Sequence, residues 1–228
     1  MATFVLVHGG TDGGWAWQGV AQILQSAGHT VYRPTLTGSG ERIHLASPTV
    51  DLATHLADIV NMIRYENLTD IILAGLSYGG YVITGVAEQI PERIGQLVFL
   101  DALTPEDGES LNDIMGSDYM AWAEEQAQVS GEGWRIPPFP PDADRRTAML
   151  IKPGSQPLAV NNPVAARLPR TFVHFTAKAD DDPLKPIMEW LADRAKAKGW
   201  GYQELAVSHY PILTQPEKVA YLLLRLIP

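Results

Sequence analysis

The pentapeptide Gly75-Leu76-Ser77-Tyr78-Gly79 constrains this chain more than any other stretch. An apolar run with strand character, Ile71-Ile72-Leu73-Ala74, precedes it, and residues 81–89 after it have helical character. A serine at the apex of a strand-to-helix turn sits where the backbone reverses sharply. Residues two positions away on each side then crowd together, so both must be Gly or similarly small. Gly80 adds a third small residue where the helix passes close to the strand. A serine held this way has its hydroxyl lifted clear of a sheet edge, and Ser77 is the expected nucleophile.

The rest of the chain supplies the sheet. Residues 3–7 form a continuous apolar run, as a buried parallel strand should. Residues 15–27 read as a helix stopped by Gly28, 30–33 as a strand, and 35–47 as a polar loop. Leu52, Leu56, Ile59, Val60 and Ile63 follow a helical stripe over 50–65. A strand over 95–100 ends at Asp101. Strand and helix alternate again from 170 to 226: strands at 170–176 and 200–205, helices at 184–198 and 217–226. Alternation of this kind predicts an α/β fold: a mostly parallel sheet with helices on both faces. The rhythm breaks over 103–168, which holds Trp122, Trp134 and the run Pro137-Pro138-Phe139-Pro140-Pro141. A structureless loop this long is unusual in a compact domain. The expectation is an inserted helical cap at 103–168, with short helices near 111–115 and 117–128, on a core formed by 1–102 and 169–228.

Composition narrows the chemistry. The chain has 228 residues and a formal charge of −9, which disfavours a nucleic-acid partner and an anionic membrane surface. No apolar run is long enough for a transmembrane helix. With a first strand expected from Thr3, no signal peptide is expected. The absence of cysteine excludes disulfides, thiol catalysis and thiolate metal sites. A cytoplasmic location is expected. No HExxH or clustered His/Asp set appears, so no metal and no organic cofactor are expected.

In a parallel sheet, reactive groups gather beyond the C-terminal strand ends. His8-Gly9-Gly10 follows the first strand, and its Gly-rich turn offers free backbone N–H groups. The N–H groups of Gly10 and Tyr78 are the candidate oxyanion-hole donors. His8 is expected to brace this loop. A serine hydroxyl needs an adjacent base, and His209, directly after the last short strand, is placed late in the chain as the Ser…acid…His order requires. Two positions suit the acid: Asp101, and the cluster Asp180-Asp181-Asp182 after the strand at 170–176. Trp122, Trp134 and Phe139, with Met115 and Met120, are expected to line an apolar substrate pocket shaped also by Trp15 and Trp17.

Several motifs carry a family resemblance: VLVHGG with GGWAW over residues 5–17, LTGSGER at 36–42, GLSYGG at 75–80, VFLDALTPEDGES at 98–110 and SHYPIL at 208–213. Over nearly its whole length the chain resembles the α/β-hydrolases, in the branch of plant methyl-salicylate-type esterases, hydroxynitrile lyases and their bacterial esterase relatives. The lyases' acid site after the later strand corresponds to Thr176-Ala177-Lys178-Ala179-Asp180, one residue out of spacing. The bacterial relatives carry Asp at the strand end of Asp101, so the resemblance favours Asp101, with Asp180 as the alternative. It departs from the hydroxynitrile lyases at Tyr210, where they place a lysine. The implied activity is hydrolysis of a small, uncharged, aromatic carboxylic ester through an acyl-enzyme. A carbamate or amide is the alternative substrate, and a hydroxynitrile lyase or a non-catalytic ligand receptor the more distant readings. The expected partner is a small ester-like molecule, with homodimerisation left open.

Overall fold

The computed structural model describes residues 1–138 and 145–227. In chain order the elements are β1 (Thr3–Val7), α1 (Gln18–Ser26), β2 (Thr30–Tyr32), α2 (Leu52–Tyr65), β3 (Ile71–Leu76), α3 (Tyr78–Gln89), β4 (Ile94–Leu100), α4 (Leu111–Ser130), β5 (Arg135–Ile136), β6 (Met149–Leu150), α5 (Ile151–Ser155), β7 (Arg170–Phe175), α6 (Lys185–Ala197), β8 (Gly201–Leu205), α7 (Pro211–Thr214) and α8 (Pro216–Arg225). Six strands form one parallel sheet in the order β2-β1-β3-β4-β7-β8. β5 and β6 pair separately as a short antiparallel ribbon.

Strand periodicity sends alternate residues to opposite faces. Val5 and Val7 pack with Ile59, Tyr81 and Met188 on the face covered by α2, α3 and α6. Phe4 and Leu6 pack with Trp17, Leu24 and Leu222 on the face covered by α1 and α8. Both faces are therefore buried, which is why β1 and β3 read as unbroken apolar runs. The order reverses direction between β1 and β3, since β2 lies to one side and β4 to the other. That reversal opens a crevice at the carboxyl ends of β1 and β3.

Local chemistry sets the helix ends. The Asp51 side chain accepts the Thr54 N–H at 3.0 Å and caps α2. Ser110 and Asp113 form a reciprocal capping box at the start of α4. The helix expected over 15–27 is divided into a 3-10 turn at Gly14–Trp17 and α1. Thr35 Oγ1 takes the Gly14 N–H at 2.7 Å, anchoring that first turn to the neighbouring loop. The two short helices expected near 111–115 and 117–128 are one longer element, α4, kinked at Gly116, whose φ of 81° lies in the left-handed region.

Between β4 and β7 the chain packs on the core through Leu111, Ile114, Met115, Leu158 and Ala165. Polar ties reinforce this. Tyr81 Oη donates to the carbonyls of Glu109 and Gln156, at 3.0 and 2.7 Å. The Thr147 N–H donates to the Thr11 carbonyl at 2.9 Å, fastening this region to the loop after β1. No helix among the described residues is long and apolar enough to cross a membrane.

Candidate active site

Ser77 occupies the turn between β3 and α3 with φ 52° and ψ −119°, a conformation that non-glycine residues rarely adopt. Such strain costs on the order of 1–3 kcal/mol and persists only where the surroundings impose it. Here they do. A Cβ on Gly75 would stand 2.5 Å from the Gly79 carbonyl carbon and oxygen, and one on Gly79 would stand 2.6 Å from the Val7 carbonyl oxygen. Larger residues would force β1, β3 and α3 apart, and the turn would relax.

The register carries the other groups to Ser77. Val7 pairs with Gly75, so the Gly9-Gly10-Thr11 loop emerges beside the serine. Tyr78 is the first residue of α3, so its N–H has no intrahelical acceptor. Its ring is buried, and its hydroxyl donates to His55 Nδ1 at 2.9 Å, while His55 Nε2–H donates to the Thr37 carbonyl at 3.0 Å. Leu76 pairs with Leu100, which brings Asp101 to the adjacent strand end. The Ser77 carbonyl accepts the Leu103 N–H at 3.0 Å, locking the two turns together.

Asp101 is fully buried with φ 45°, a left-handed conformation that aspartate tolerates better than most residues. Its Oδ2 accepts His209 Nδ1–H at 2.6 Å. Its Oδ1 accepts the Phe175 N–H at 3.1 Å and Lys178 Nζ at 2.8 Å. Burial acts to raise the carboxyl pKa, but the hydrogen bond and charge of His209, together with Lys178, outweigh it and hold the group below its ordinary value. Asp101 therefore stays ionised. His209 lies in the segment between β8 and α7 and is buried. With Nδ1 donating to the carboxylate, Nε2 is the basic nitrogen. Among the described residues Nε2 has no hydrogen-bond partner, Ser77 Oγ included. Catalytic contacts of this type often tighten only when substrate is present. Tyr210, which stands where the lyases carry lysine, meets the His209 ring edge-on at 5.0 Å.

The other acid candidates lie elsewhere. The Asp180 side chain is fully exposed and pairs with Lys185 at 2.5 Å. Asp182 Oδ1 accepts the Leu184 N–H at 2.9 Å, the local turn bond of a helix start. Asp101 is the carboxylate hydrogen-bonded to His209 among the described residues.

His8 sits in a closed bonding arrangement. Nδ1–H donates to the Gly9 carbonyl at 2.7 Å, and Nε2 accepts the Leu36 N–H at 3.0 Å. Burial lowers its pKa from 6.5 to about 4, against the smaller opposing pull of the Gly9 carbonyl. The neutral form is thus required in the folded state, while the unfolded chain protonates near 6.5. Stability from this residue is present above pH 6.5 and is lost as pH falls toward 4. Between pH 7 and pH 5 His8 alone is expected to cost about 2 kcal/mol of folding free energy. Urea denaturation at the two pH values checks this: His8→Gln should flatten the dependence by that amount, and an unchanged dependence would refute it.

A cavity of about 90 Å³ opens on Ser77, Gly10 and Tyr78. Its apolar wall comes from Leu103, Leu111, Met115 and Tyr119, then Met149 on the ribbon and Met188 on α6. Tyr210 and Leu184 complete the wall, and no charged side chain lines it among the described residues. Trp122 and Trp134, expected in the pocket, are not in this lining. Trp122 is 39% exposed and meets the Tyr119 ring at a tilt, 5.4 Å between centroids. Trp134 donates from Nε1 to Glu132 at 3.3 Å and lies against Arg135. Phe139 lies outside the described residues. Trp17 is core on the far side of the sheet, and neither Met120 nor Trp15 reaches the cavity. α4 turns its Leu111, Met115 and Tyr119 side inward, which leaves Trp122 outward. Sequence reasoning missed Tyr119, Met149 and Met188. Tyr119 lies across the Gly116 kink from Met115, so helical spacing did not point to it. Met149 and Met188 become neighbours of Ser77 only through chain crossings. Among the described residues no group of three or more His, Asp and Glu side chains gathers as a metal site.

Comparison with known proteins agrees with this architecture. The model of the alpha/beta hydrolase family matches residues 4–220. A carbendazim hydrolyzing esterase of Nocardioides sp. (strain SG-4G) is 53% identical over 111 residues, covering 49% of this chain and 46% of that protein. Polyneuridine aldehyde esterase of Rauvolfia serpentina is 33% identical over 111 residues, covering 47% and 41%. The matches thus span less than half of these curated relatives. Among solved structures, an extracellular alpha/beta-hydrolase from a Paenibacillus species, described as sharing structural and functional homology with tobacco salicylic acid binding protein 2, superposes with a TM-score of 0.84. It is 26% identical, and the superposition covers 99% of this chain and 98% of that one. The parallel sheet, the strained Ser77 turn and a family match running almost from end to end place the chain in the alpha/beta hydrolase family.

Proposed function

We propose that this protein is a serine hydrolase that cleaves a small, uncharged carboxylic ester, with an aryl ester as the preferred class. The observation that carries the reading is the His209–Asp101 pair, its Nε2 unpartnered, at the same sheet edge as the strained Ser77. In this reading Ser77 Oγ attacks the acyl carbonyl and its proton passes to His209 Nε2. The tetrahedral oxyanion is held by the N–H groups of Gly10 and Tyr78. Collapse expels the alcohol, which takes the proton from His209. Water, deprotonated by His209, then attacks the acyl-enzyme and releases the acid and Ser77. Residues 103–168 serve as the cap that contributes Leu111, Met115, Tyr119 and Met149 to the pocket.

An uncharged substrate follows from the lining. A charge placed against it would lose hydration with no partner in return. The volume suits a small acyl group, and three methionines let the walls adapt. A carbamate is the second reading, because its carbonyl has the same shape and the relative with 53% identity is named for carbendazim hydrolysis. The test is turnover by the pure protein of p-nitrophenyl acetate, aryl and methyl esters, methyl carbamates and carbendazim. Turnover that requires Ser77 supports the hydrolase, and the ester-to-carbamate ratio ranks the two readings. No Ser77-dependent turnover on any of them would overturn both.

Met149 is the side chain expected to set acyl size, since its sulfur lies directly over Gly10. Met149→Ala should raise the kcat/KM ratio of p-nitrophenyl butyrate to acetate about tenfold, the scale of a methylene or two in an apolar pocket. An unchanged ratio would make Met149 a packing residue only.

A further inference from the structure

Lys178 has no part in the acyl-transfer scheme, yet it is bound to the centre of it. Its side chain is only 1% exposed. Nζ donates to Asp101 Oδ1 at 2.8 Å and also to the carbonyl of Phe175, the last residue of β7. The Phe175 N–H donates to the same Oδ1 at 3.1 Å. Asp101 thus carries an ammonium on one oxygen and the imidazole on the other. A buried ammonium loses much hydration and is held only where a carboxylate and further acceptors compensate. Packing alone would be met by an apolar residue at this position.

We propose that Lys178 is a positioning residue for the reaction, resting on the Ser77–His209–Asp101 reading: it fixes the Asp101 carboxylate toward His209 and shares its negative charge. Two consequences follow from the geometry. With Oδ1 held by Lys178 and Phe175, rotation of the carboxylate away from His209 Nδ1 breaks two further hydrogen bonds. With the ammonium already on Asp101, a second positive charge on His209 is stabilised less than by a lone carboxylate. The Asp101 charge is thus divided between Lys178 and the imidazolium that forms when His209 accepts the Ser77 proton.

Other titratable groups act on the same cluster. Asp12, in the loop after β1 and paired with Arg146 at 3.4 Å, faces His209, and Tyr210 adjoins the ring. His174 on β7 feels Lys178 and Asp101, together with Glu204 on β8 and Glu189 on α6. None of these supplies a hydrogen bond to the Asp101 carboxylate, whose donors among the described residues are Phe175, Lys178 and His209.

The experiment is the pH profile of kcat/KM for p-nitrophenyl acetate in the wild-type protein and in Lys178→Met. Removing the ammonium should move the acidic limb upward by about one pH unit, the scale of one unit charge at this range in a partly polar interior. Activity below the limb then falls about tenfold, while the alkaline plateau changes less. A lowered plateau with the limb in place would overturn the proposal, because a purely structural lysine acts equally at every pH. Lys178→Gln keeps a donor for Oδ1 without the charge and carries the same prediction if the Met variant does not fold. Lys178→Arg keeps the charge and should keep the wild-type limb, and a shifted limb there also counts against the idea. The same shift in a His174→Gln background excludes His174 as its source, and its disappearance there would overturn the assignment to His209. Failure of the catalytic reading is distinguishable. Activity indifferent to Asp101→Asn removes the triad itself, whereas an unmoved limb with full dependence on Asp101 removes only this role of Lys178.

Discussion

Replacing Ser77 with alanine is expected to lower kcat for ester hydrolysis by about 10⁶, leaving only what binding and the oxyanion donors supply. The substitution is clean. Alanine keeps the Cβ, so the strained turn at φ 52° and its packing against Gly75 and Gly79 are unchanged. The thermal midpoint should stay where it is or rise, because the strain is borne by the backbone and no hydrogen bond of the Ser77 hydroxyl is present to lose among the described residues. Steady-state rates with p-nitrophenyl acetate, with the protein shown folded by circular dichroism, check this. Retention of more than about a tenth of the activity would take Ser77 out of the mechanism, since single nucleophile losses act on the triad as a unit.

Asp101→Asn should cost about 10⁴ in kcat. Asparagine accepts the left-handed φ of 45° and fills the same space. Its amide, however, no longer compels Nδ1 of His209 to carry the proton. If the amide NH₂ faces the ring, the proton is driven to Nε2, where a base is needed. The change also strips the buried Lys178 of its carboxylate, and an uncompensated buried charge is worth about 3–5 kcal/mol of stability. Rates must therefore be measured well below the melting point of the variant, which a thermal scan supplies. Asp180→Asn is the matched control: its carboxylate is exposed and, among the described residues, bound only to Lys185, so rate and stability should not change. A damaging Asp180→Asn beside a harmless Asp101→Asn would reverse the acid assignment.

The sheet was readable because periodicity and burial are local properties. β1, β3 and β4 are buried on both faces, so their composition alone marks them as parallel strands. The Ser77 turn was readable for a related reason: its steric demand falls on Gly75 and Gly79, within two residues of the serine. Helix ends were less so. α3 begins at Tyr78, three residues before its helical pattern is evident, because two glycines weaken the pattern without stopping the helix.

The pocket was misread where side-chain direction mattered. Trp122 and Trp134 are large and apolar, the composition of a pocket, but Trp122 leaves α4 half-exposed against the Tyr119 ring, and Trp134, in the turn between α4 and β5, pairs with Glu132 and Arg135. Methionines from the ribbon and α6 take that place. Residue type predicts burial on average, and it does not say which cavity a side chain enters.

Short-range sterics and hydropathy in the linear chain were enough to establish a doubly covered parallel sheet with a serine raised at one edge, because each of those features is decided by neighbours a few residues apart. Choosing between Asp101 and Asp180, setting Lys178 against the chosen carboxylate and lining the cavity with Met149 and Met188 required folding. Those relations join residues from strands and helices far apart in sequence, and strand register with crossover geometry, absent from any local pattern, decides which of them meet.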